Sequence, residues 1–165
     1  MKQLTLIRHA TATAYRDADS DIDRHLTAAG QAEAREVGKH LAKRSVQPSH
    51  WRISPARRTQ ETARAIAEAL HEELSPLWLE PTVYLAESAT LMALIENLPD
   101  SCTHALIIGH NPGITDLVRH LLGQAAAPTL DPATCVTVVT QQDSWALMRS
   151  GDFTLSERWK PTRPQ

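Results

Sequence analysis

Two arginines and two histidines stand at or just beyond the ends of apolar segments, where they could bind and attack a phosphoryl group. Arg8 and His9 follow the apolar run LTLI, Arg58 comes shortly after WRISP, and His110 follows ALIIG. Arginine presents a planar fork of donors that matches phosphate oxygens, and it keeps its charge. A histidine among such cations is pushed towards its neutral form, which is the nucleophilic one.

The Arg-His dipeptide alone is a weak signal, because it occurs three times in the chain. The other two occurrences are Arg24-His25 and Arg119-His120. Arg119-His120 falls late in an amphipathic segment, far from the end of any predicted strand. Position in the predicted fold, rather than residue type, therefore distinguishes Arg8-His9 from the other two pairs.

Three predicted strands end near the four residues. They are QLTLIRH, HWRIS and HALIIGH, and the last is apolar enough to be fully buried. In an open α/β sheet, ligands bind beyond the carboxyl ends of the strands, near helix N-termini whose partial positive charge attracts anions. The three strand ends are therefore expected to converge on one phosphate-binding crevice.

Helix-like segments alternate with these strands. Thr27 is the predicted N-cap of a first helix that runs to about Arg44. Ser54-Pro55 and Asn111-Pro112 are predicted to start two further helices in the same way, with a polar N-cap followed by proline. Between these two, the third helix in chain order is marked by apolar residues between Leu91 and Leu98 and is closed by Pro99.

The remaining segments complete an α/β fold. Residues 11–26 are polar, contain four aspartates and are predicted to form a long loop, while LWLEPTVYL has extended character. CVTVV, WALM and FTLSERW are predicted to be antiparallel strands that finish the sheet. The expected fold class is a three-layer αβα sandwich with a mostly parallel central sheet and antiparallel C-terminal strands, and residues 1–165 are expected to form a single domain.

Composition argues against several classes of protein. The formal net charge of −2 argues against nucleic-acid binding, and no apolar run is long enough to span a membrane. The N-terminal segment lacks a signal-peptide pattern, and Cys102 and Cys135 are expected to be free thiols, so a cytoplasmic location is predicted. The eight histidines form neither HxH nor HExxH, so no metal or other cofactor is expected.

Four motifs resemble the histidine phosphatase superfamily, whose fold is called phosphoglycerate mutase-like, and in particular its small SixA-type phosphohistidine phosphatase branch. They are LIRHA, RHLTAAGQAEA, SPARRTQETA and IIGHNPG, and they follow one another in the family's order from residue 4 to about residue 122. The resemblance implies a phosphatase that works through a covalent phosphohistidine intermediate.

The resemblance also implies a role for each matched residue. His9 corresponds to the nucleophile, and Arg8 and Arg58 correspond to the two phosphate-binding arginines. His110 corresponds to a second histidine, which binds the phosphoryl group and stabilises its transition state. Arg24 either corresponds to an arginine at the rim of SixA-type sites or is a solvent-exposed loop residue.

The general acid is the uncertain member of the predicted site. Glu87 is the nearest candidate by order along the chain for protonating the leaving group, and a surface glutamate at a helix start is the alternative. A phosphohistidine substrate needs such an acid less than a phosphate ester does, because imidazole is a far better leaving group than an alkoxide.

The substrate class follows from the space available for a lid. The segment between Thr62 and His110 leaves little room for the helical insertion that closes over small metabolites in larger members of the superfamily. An open, shallow site suits a phosphohistidine-bearing protein, with inorganic phosphate as the product. The alternatives are a small-molecule phosphomonoesterase, a phosphate-binding regulatory module without catalysis, and an interaction protein that uses the segment 65–118, which lacks Lys and Arg.

Overall fold

The computed structural model describes residues 1–162, which are organised around one five-stranded mixed sheet with the strand order β2-β3-β1-β4-β5. Its strands are β1 (Lys2–Arg8), β2 (His50–Ile53), β3 (His104–Gly109), β4 (Cys135–Thr140) and β5 (Thr154–Trp159). β3 pairs in parallel with both β1 and β2, while β4 pairs antiparallel with β1 and β5. This confirms the predicted parallel centre with antiparallel C-terminal strands.

Four α-helices cover the two faces of the sheet. Those on one face are α1 (Ala28–Lys43) and α2 (Arg57–Ala69), and those on the other are α3 (Ser88–Glu96) and α4 (Gly113–Leu122). Each pair encloses its own apolar core against the sheet, which confirms the expected three-layer αβα sandwich. Among residues 1–162, no helix is both long and apolar enough to cross a membrane.

The polar loop 11–26 is closed at its base by contacts with the start of α1. Thr27 caps this helix as predicted, and its Oγ1 accepts a hydrogen bond of 3.0 Å from the backbone N of Gly30. A Cβ on Gly30 would lie 2.0 Å from the backbone oxygen of Thr11, so only glycine allows this approach. A bridge between Ala12 and Leu26 continues the closure, so the two ends of the loop are held together beside the sheet edge.

The start of α2 differs from the prediction. The helix begins at Arg57 with Ala56 as its N-cap, and Ser54 lies two residues before that cap. The Ser54 hydroxyl lies 2.7 Å from Nε2 of His110 and also accepts a weaker bond of 3.3 Å from the backbone N of Ala56. The polar side chain that was predicted to cap a helix instead contacts a histidine of the candidate site.

The start of α4 differs in the same way. This helix begins at Gly113 with Pro112 as its N-cap, so Asn111 is not the cap. The Asn111 side-chain amide donates a hydrogen bond of 2.9 Å to the backbone oxygen of Leu130, and its carbonyl accepts one of 2.7 Å from Thr115. Both wrong predictions have one cause, since each side chain is engaged in a tertiary contact rather than in capping.

Two segments that were predicted to be extended form 3₁₀ turns. LWLEPTVYL, residues 77–85, overlaps the turn Pro76–Trp78 and contains the turn Pro81–Val83, and Leu79 between the two turns bridges to β2. Each turn begins with a proline, which has no N–H to give to a sheet and is already suited to a first helical position. WALM also forms a turn, Trp145–Leu147, which buries the Trp145 indole and directs its N–H to the backbone oxygen of Cys102.

Candidate active site

The parallel strands bring the predicted residues together at one edge of the sheet. In the β1–β3 pairing, Arg8 lies opposite Gly109, so His9 and His110 leave neighbouring strands at the same level. The backbone N of His9 donates to the oxygen of Gly109 at 3.2 Å, and the centroids of the two histidine rings are 5.3 Å apart. Ser54, at the end of β2, reaches the same place through its contact with His110.

The protonation of His9 is determined by a single hydrogen bond. Its Nδ1 lies 2.7 Å from the backbone oxygen of Ala10, and a carbonyl only accepts, so Nδ1 carries the proton and Nε2 keeps a lone pair. Burial, and then the charges of Arg58, Arg8 and Arg24, lower the pKa of His9 to about 4, against the opposing effect of the Ala10 bond. At neutral pH this imidazole is therefore neutral, with a free lone pair on Nε2.

The tautomer of His110 is determined by its two neighbours. Its Nδ1 lies 3.2 Å from Nη2 of Arg58, and because a guanidinium only donates, Nδ1 accepts. Nε2 therefore carries the proton and donates to the hydroxyl of Ser54 at 2.7 Å. Burial and then the charge of Arg58 lower the pKa of His110 to about 3. Both histidines of the site are therefore neutral, although they lie among cations.

Arg58 and Arg8 offer buried donors that an anion could accept. The Arg58 side chain is 2% exposed, and it donates through Nη1 to the backbone oxygen of Asp21 at 2.7 Å. Arg8 donates through Nη1 to the backbone oxygen of Leu130 at 2.9 Å. The buried Nε atoms of both arginines have no hydrogen-bond partner within residues 1–162. Because buried donors are normally paired, this donor set fits a phosphoryl group.

Thr62 ties the backbone next to His9 to α2. Its Oγ1 accepts a hydrogen bond of 3.1 Å from the backbone N of Ala10 and donates one of 2.8 Å to the backbone oxygen of Arg58. The sequence places Thr62 one helical turn beyond Arg58, on the same side of α2. One hydroxyl therefore links the segment that carries His9 to the segment that carries the buried arginine.

Arg24 lies close enough to the cluster for its charge to act on both histidines. Its Nε donates to the backbone oxygen of Thr13 at 2.8 Å, and its Nη1 donates to Oδ1 of Asp21 at 3.0 Å. Its charge contributes to lowering the pKa of both His9 and His110. Arg24 is therefore part of the positive surroundings of the site and not a free loop residue.

Glu87 is the predicted site residue that the structure leaves outside the cluster. It is the N-cap of α3, its side chain is exposed, and that side chain has no hydrogen bond or ion pair with another residue of 1–162. The adjacent backbone is nevertheless fixed near the site, because a Cβ on Gly113 would lie 1.8 Å from the backbone oxygen of Ala86. The segment thus packs on the start of α4 while the Glu87 carboxylate points into solvent.

Two residues of the site, Asp21 and Tyr84, were not identified from the sequence. Tyr84 donates its hydroxyl proton to Oδ2 of Asp21, and its ring packs edge-on against His110 with centroids 5.6 Å apart. Burial would raise the pKa of Asp21, but hydrogen bonds from Tyr84, Arg24 and Arg58 hold it well below its usual value. Nothing in the local sequence separates Asp21 from the other three aspartates of its loop.

The first half of the chain is similar to the histidine phosphatase superfamily. Residues 4–81 match the model of the histidine phosphatase superfamily (branch 1), which confirms the resemblance found in the motifs and supports a phosphatase activity. No curated protein matches the chain.

Solved structures of phosphatases share the fold. A structure described as phosphohistidine phosphatase SixA from Nakamurella multipartitia has a TM-score of 0.83 and 22% identity, covering 98% of this chain and 97% of that one. The protein histidine phosphatase SixA complexed with tungstate has a TM-score of 0.76 and 24% identity, with 96% of each chain covered. A mycobacterial glucosyl-3-phosphoglycerate phosphatase has a TM-score of 0.74 and 16% identity, covering 98% of this chain and 100% of that one.

Anion binding tests the donor set directly. We expect Arg58→Lys to weaken the binding of inorganic phosphate about tenfold or more, because one ammonium cannot both pair with Asp21 and present a planar fork to the anion. Isothermal titration calorimetry measures the affinity, and circular dichroism checks the fold. The matched control is Arg57→Lys, whose side chain is 58% exposed and pairs with Glu61, and equal losses in the two variants would contradict the assignment.

Proposed function

We propose that the protein is a phosphohistidine phosphatase in which Nε2 of His9 takes the phosphoryl group from a phosphohistidine on another protein and then passes it to water. The observation that carries the proposal is the fixed tautomer of His9. The bond from Nδ1 to the oxygen of Ala10 leaves the lone pair on Nε2, at the edge where Arg8 and Arg58 supply unpaired donors.

The reaction consists of two phosphoryl transfers. In the first, Nε2 of His9 forms a bond to phosphorus while the bond from phosphorus to the substrate's imidazole breaks, and the substrate ring, which carries a proton on its other nitrogen, leaves as neutral imidazole. In the second, a water oxygen attacks the phosphorus, the bond to Nε2 breaks, and inorganic phosphate leaves. Arg8 and Arg58 neutralise the charge on the equatorial oxygens in both steps, and we assign His110 to the stabilisation of the same group.

The carboxylates around the site favour phosphohistidine over a phosphate ester. Asp21 accepts hydrogen bonds from Tyr84, Arg24 and Arg58, which keep it ionised, so it has no proton to give to a leaving group. Glu87 is exposed and unpaired among the described residues, so nothing in its surroundings aims it at the phosphorus. An imidazole with a pKa of about 6.5 leaves without strong acid assistance, whereas an alkoxide does not.

The lack of a lid element between α2 and β3 supports a substrate carried on a protein. Between α2 and β3, the chain holds only two 3₁₀ turns and α3, and α3 is packed into the core through Leu91, Met92 and Ile95. None of these elements is free to act as a lid. Cys102 and Cys135 are buried free thiols, which suits a reducing compartment, so the proposal includes a cytoplasmic location for residues 1–165 acting as one domain.

A small-molecule phosphomonoesterase with the same covalent step is the second candidate. The observation that favours it is the fold shared with the mycobacterial glucosyl-3-phosphoglycerate phosphatase. The two candidates use the same nucleophile and arginines and differ only in what carries the phosphoryl group to them.

A comparison of substrates separates the two candidates. We expect kcat/KM for a histidine-phosphorylated phosphotransfer domain to exceed that for alkyl phosphate esters by a factor of about 100 or more, because no positioned acid assists an alkoxide. Release of inorganic phosphate from a panel of both substrate types measures this. Rapid turnover of a sugar phosphate together with an unchanged phosphoprotein would favour the second candidate instead.

Loss of the nucleophile tests the covalent step. We expect His9→Ala to abolish turnover and to prevent formation of an acid-labile phosphoenzyme, because no other imidazole has a free nitrogen at this position. Mass spectrometry after rapid quenching detects the phosphoenzyme. His120→Ala is the matched control from another Arg-His pair, because this side chain is exposed late in α4. A phosphoenzyme that persisted in His9→Ala would exclude His9 as the nucleophile.

The pH dependence of the reaction follows from the lowered pKa of His9. Protonation at low pH occupies Nε2 and removes the nucleophile, so activity is present above the pKa of about 4 and is lost as the pH falls through that value. We expect kcat/KM for an aryl phosphate to hold between about pH 8 and about pH 5 and to fall near pH 4, in parallel with the nitrogen NMR shift of His9. A midpoint near the ordinary histidine value would contradict this environment.

A further inference from the structure

Asp21 is the point at which three separate segments of the site meet. Its Oδ2 accepts from Nη2 of Arg58 at 3.1 Å and from the hydroxyl of Tyr84, and its Oδ1 accepts from Nη1 of Arg24 at 3.0 Å. Its backbone oxygen also accepts from Nη1 of Arg58 at 2.7 Å. The carboxylate therefore connects the loop 11–26 to α2 and to the turn before α3.

These contacts determine the orientation of the Arg58 guanidinium in the site. Both of its terminal nitrogens are engaged, Nη1 by the backbone of Asp21 and Nη2 by the Asp21 carboxylate and His110. The side chain is 2% exposed, so the protein atoms around it leave little space for other rotamers. The same contacts that fix the guanidinium leave its Nε without a partner among residues 1–162.

Asp21 also changes the charge of the crevice. Arg8, Arg24 and Arg58 contribute three positive charges, both histidines are neutral, and Asp21 contributes one negative charge. The crevice then carries two net positive charges, which match one phosphate dianion. Asp131 is the carboxylate whose charge acts on Arg8, and because it pairs with Lys160 at 2.7 Å, the two together add no net charge. Without Asp21, the crevice would carry three net positive charges and would bind inorganic phosphate more tightly.

We propose that Asp21 is a positioning residue with two effects, holding Arg58 in its phosphate-binding orientation and supplying the counter-charge that lets inorganic phosphate leave. The proposal rests on the phosphatase function proposed above. It assigns Asp21 no proton transfer, because its carboxylate is surrounded by donors. A phosphatase must release its product at every turnover. One nearby negative charge lowers the affinity of the site for inorganic phosphate without removing any contact that the phosphate makes.

Two substitutions of Asp21 separate its effects. Asp21→Asn keeps an oxygen acceptor for Arg58 and Tyr84 but removes the charge, so inorganic phosphate should bind about 3 to 10 times more tightly. Asp21→Ala removes the acceptor as well, so kcat/KM for an aryl phosphate should fall about 10 to 100 times as Arg58 loses its orientation. Calorimetry with inorganic phosphate and steady-state kinetics with product inhibition measure the two effects.

The chain provides matched controls for both partners in the key contact. Asp23→Asn removes a carboxylate from the same turn. Among residues 1–162, the hydrogen bond that this exposed side chain makes is the one it accepts from Ser20, so phosphate affinity should not change. Tyr84→Phe removes a donor to Asp21 and should lower kcat/KM several-fold, whereas Tyr15→Phe alters a side chain that is 67% exposed and should have no effect. Circular dichroism and thermal melts confirm that each variant is folded.

The outcomes distinguish this inference from the function on which it rests. Tighter phosphate binding by Asp21→Asn, with lower kcat/KM in Asp21→Ala, supports both effects. Unchanged or weaker phosphate binding by Asp21→Asn overturns the counter-charge, and an unimpaired Asp21→Ala overturns the positioning. If the unsubstituted protein neither binds phosphate nor hydrolyses an aryl phosphate, the proposed function itself fails, whatever the variants show.

Discussion

The burial of the Arg58 guanidinium is the constraint on which the rest of the site depends. A cation with 2% exposure costs several kcal/mol to remove from water unless charges and acceptors surround it. The fold supplies them from distant segments, with Asp21 from the loop 11–26 and His110 from the end of β3. Satisfying one buried charge therefore brings the loop, the second helix and a strand end into a single arrangement.

The same positive charge governs the chemistry of the two histidines. An imidazolium beside Arg58 would add a like charge in a poorly solvated place, so burial and neighbouring cations act together to keep His9 and His110 neutral. Neutrality gives each ring one donor and one acceptor nitrogen, and the backbone oxygen of Ala10 then determines which nitrogen of His9 is free. The cations that suit an anion thus also keep Nε2 of His9 unprotonated, as the proposed nucleophile requires.

The sequence predicted those parts of the molecule that follow from periodicity and strand ends. Arg8, His9 and His110 could be placed because buried parallel strands are recognisable and their carboxyl ends share one edge. The helix starts at Ser54 and Asn111 were wrong because these side chains bind distant partners, His110 and Leu130, which no local pattern reveals.

Asp21 and Tyr84 were missed for a related reason. Their contact joins residues 63 positions apart, and it depends on how the loop 11–26 is closed at its base by the bridge between Ala12 and Leu26. Four aspartates in a polar loop look alike in sequence, and only the closed loop gives one of them a special position. The residues at the strand ends could thus be predicted from local sequence patterns, whereas the special position of Asp21 depends on how the loop closes in the tertiary structure.

An open crevice makes the balance of charge more important than it would be under a lid. A lid can bind a phosphate tightly while closed and release it by opening, so that affinity and release are separated in time. Here α3 is packed into the core through its apolar residues and does not provide such a lid. With the proposed function, the affinity for phosphate is instead set by the charges that line the crevice. A carboxylate placed against the buried arginine lowers that affinity, and it does so while holding that arginine in place.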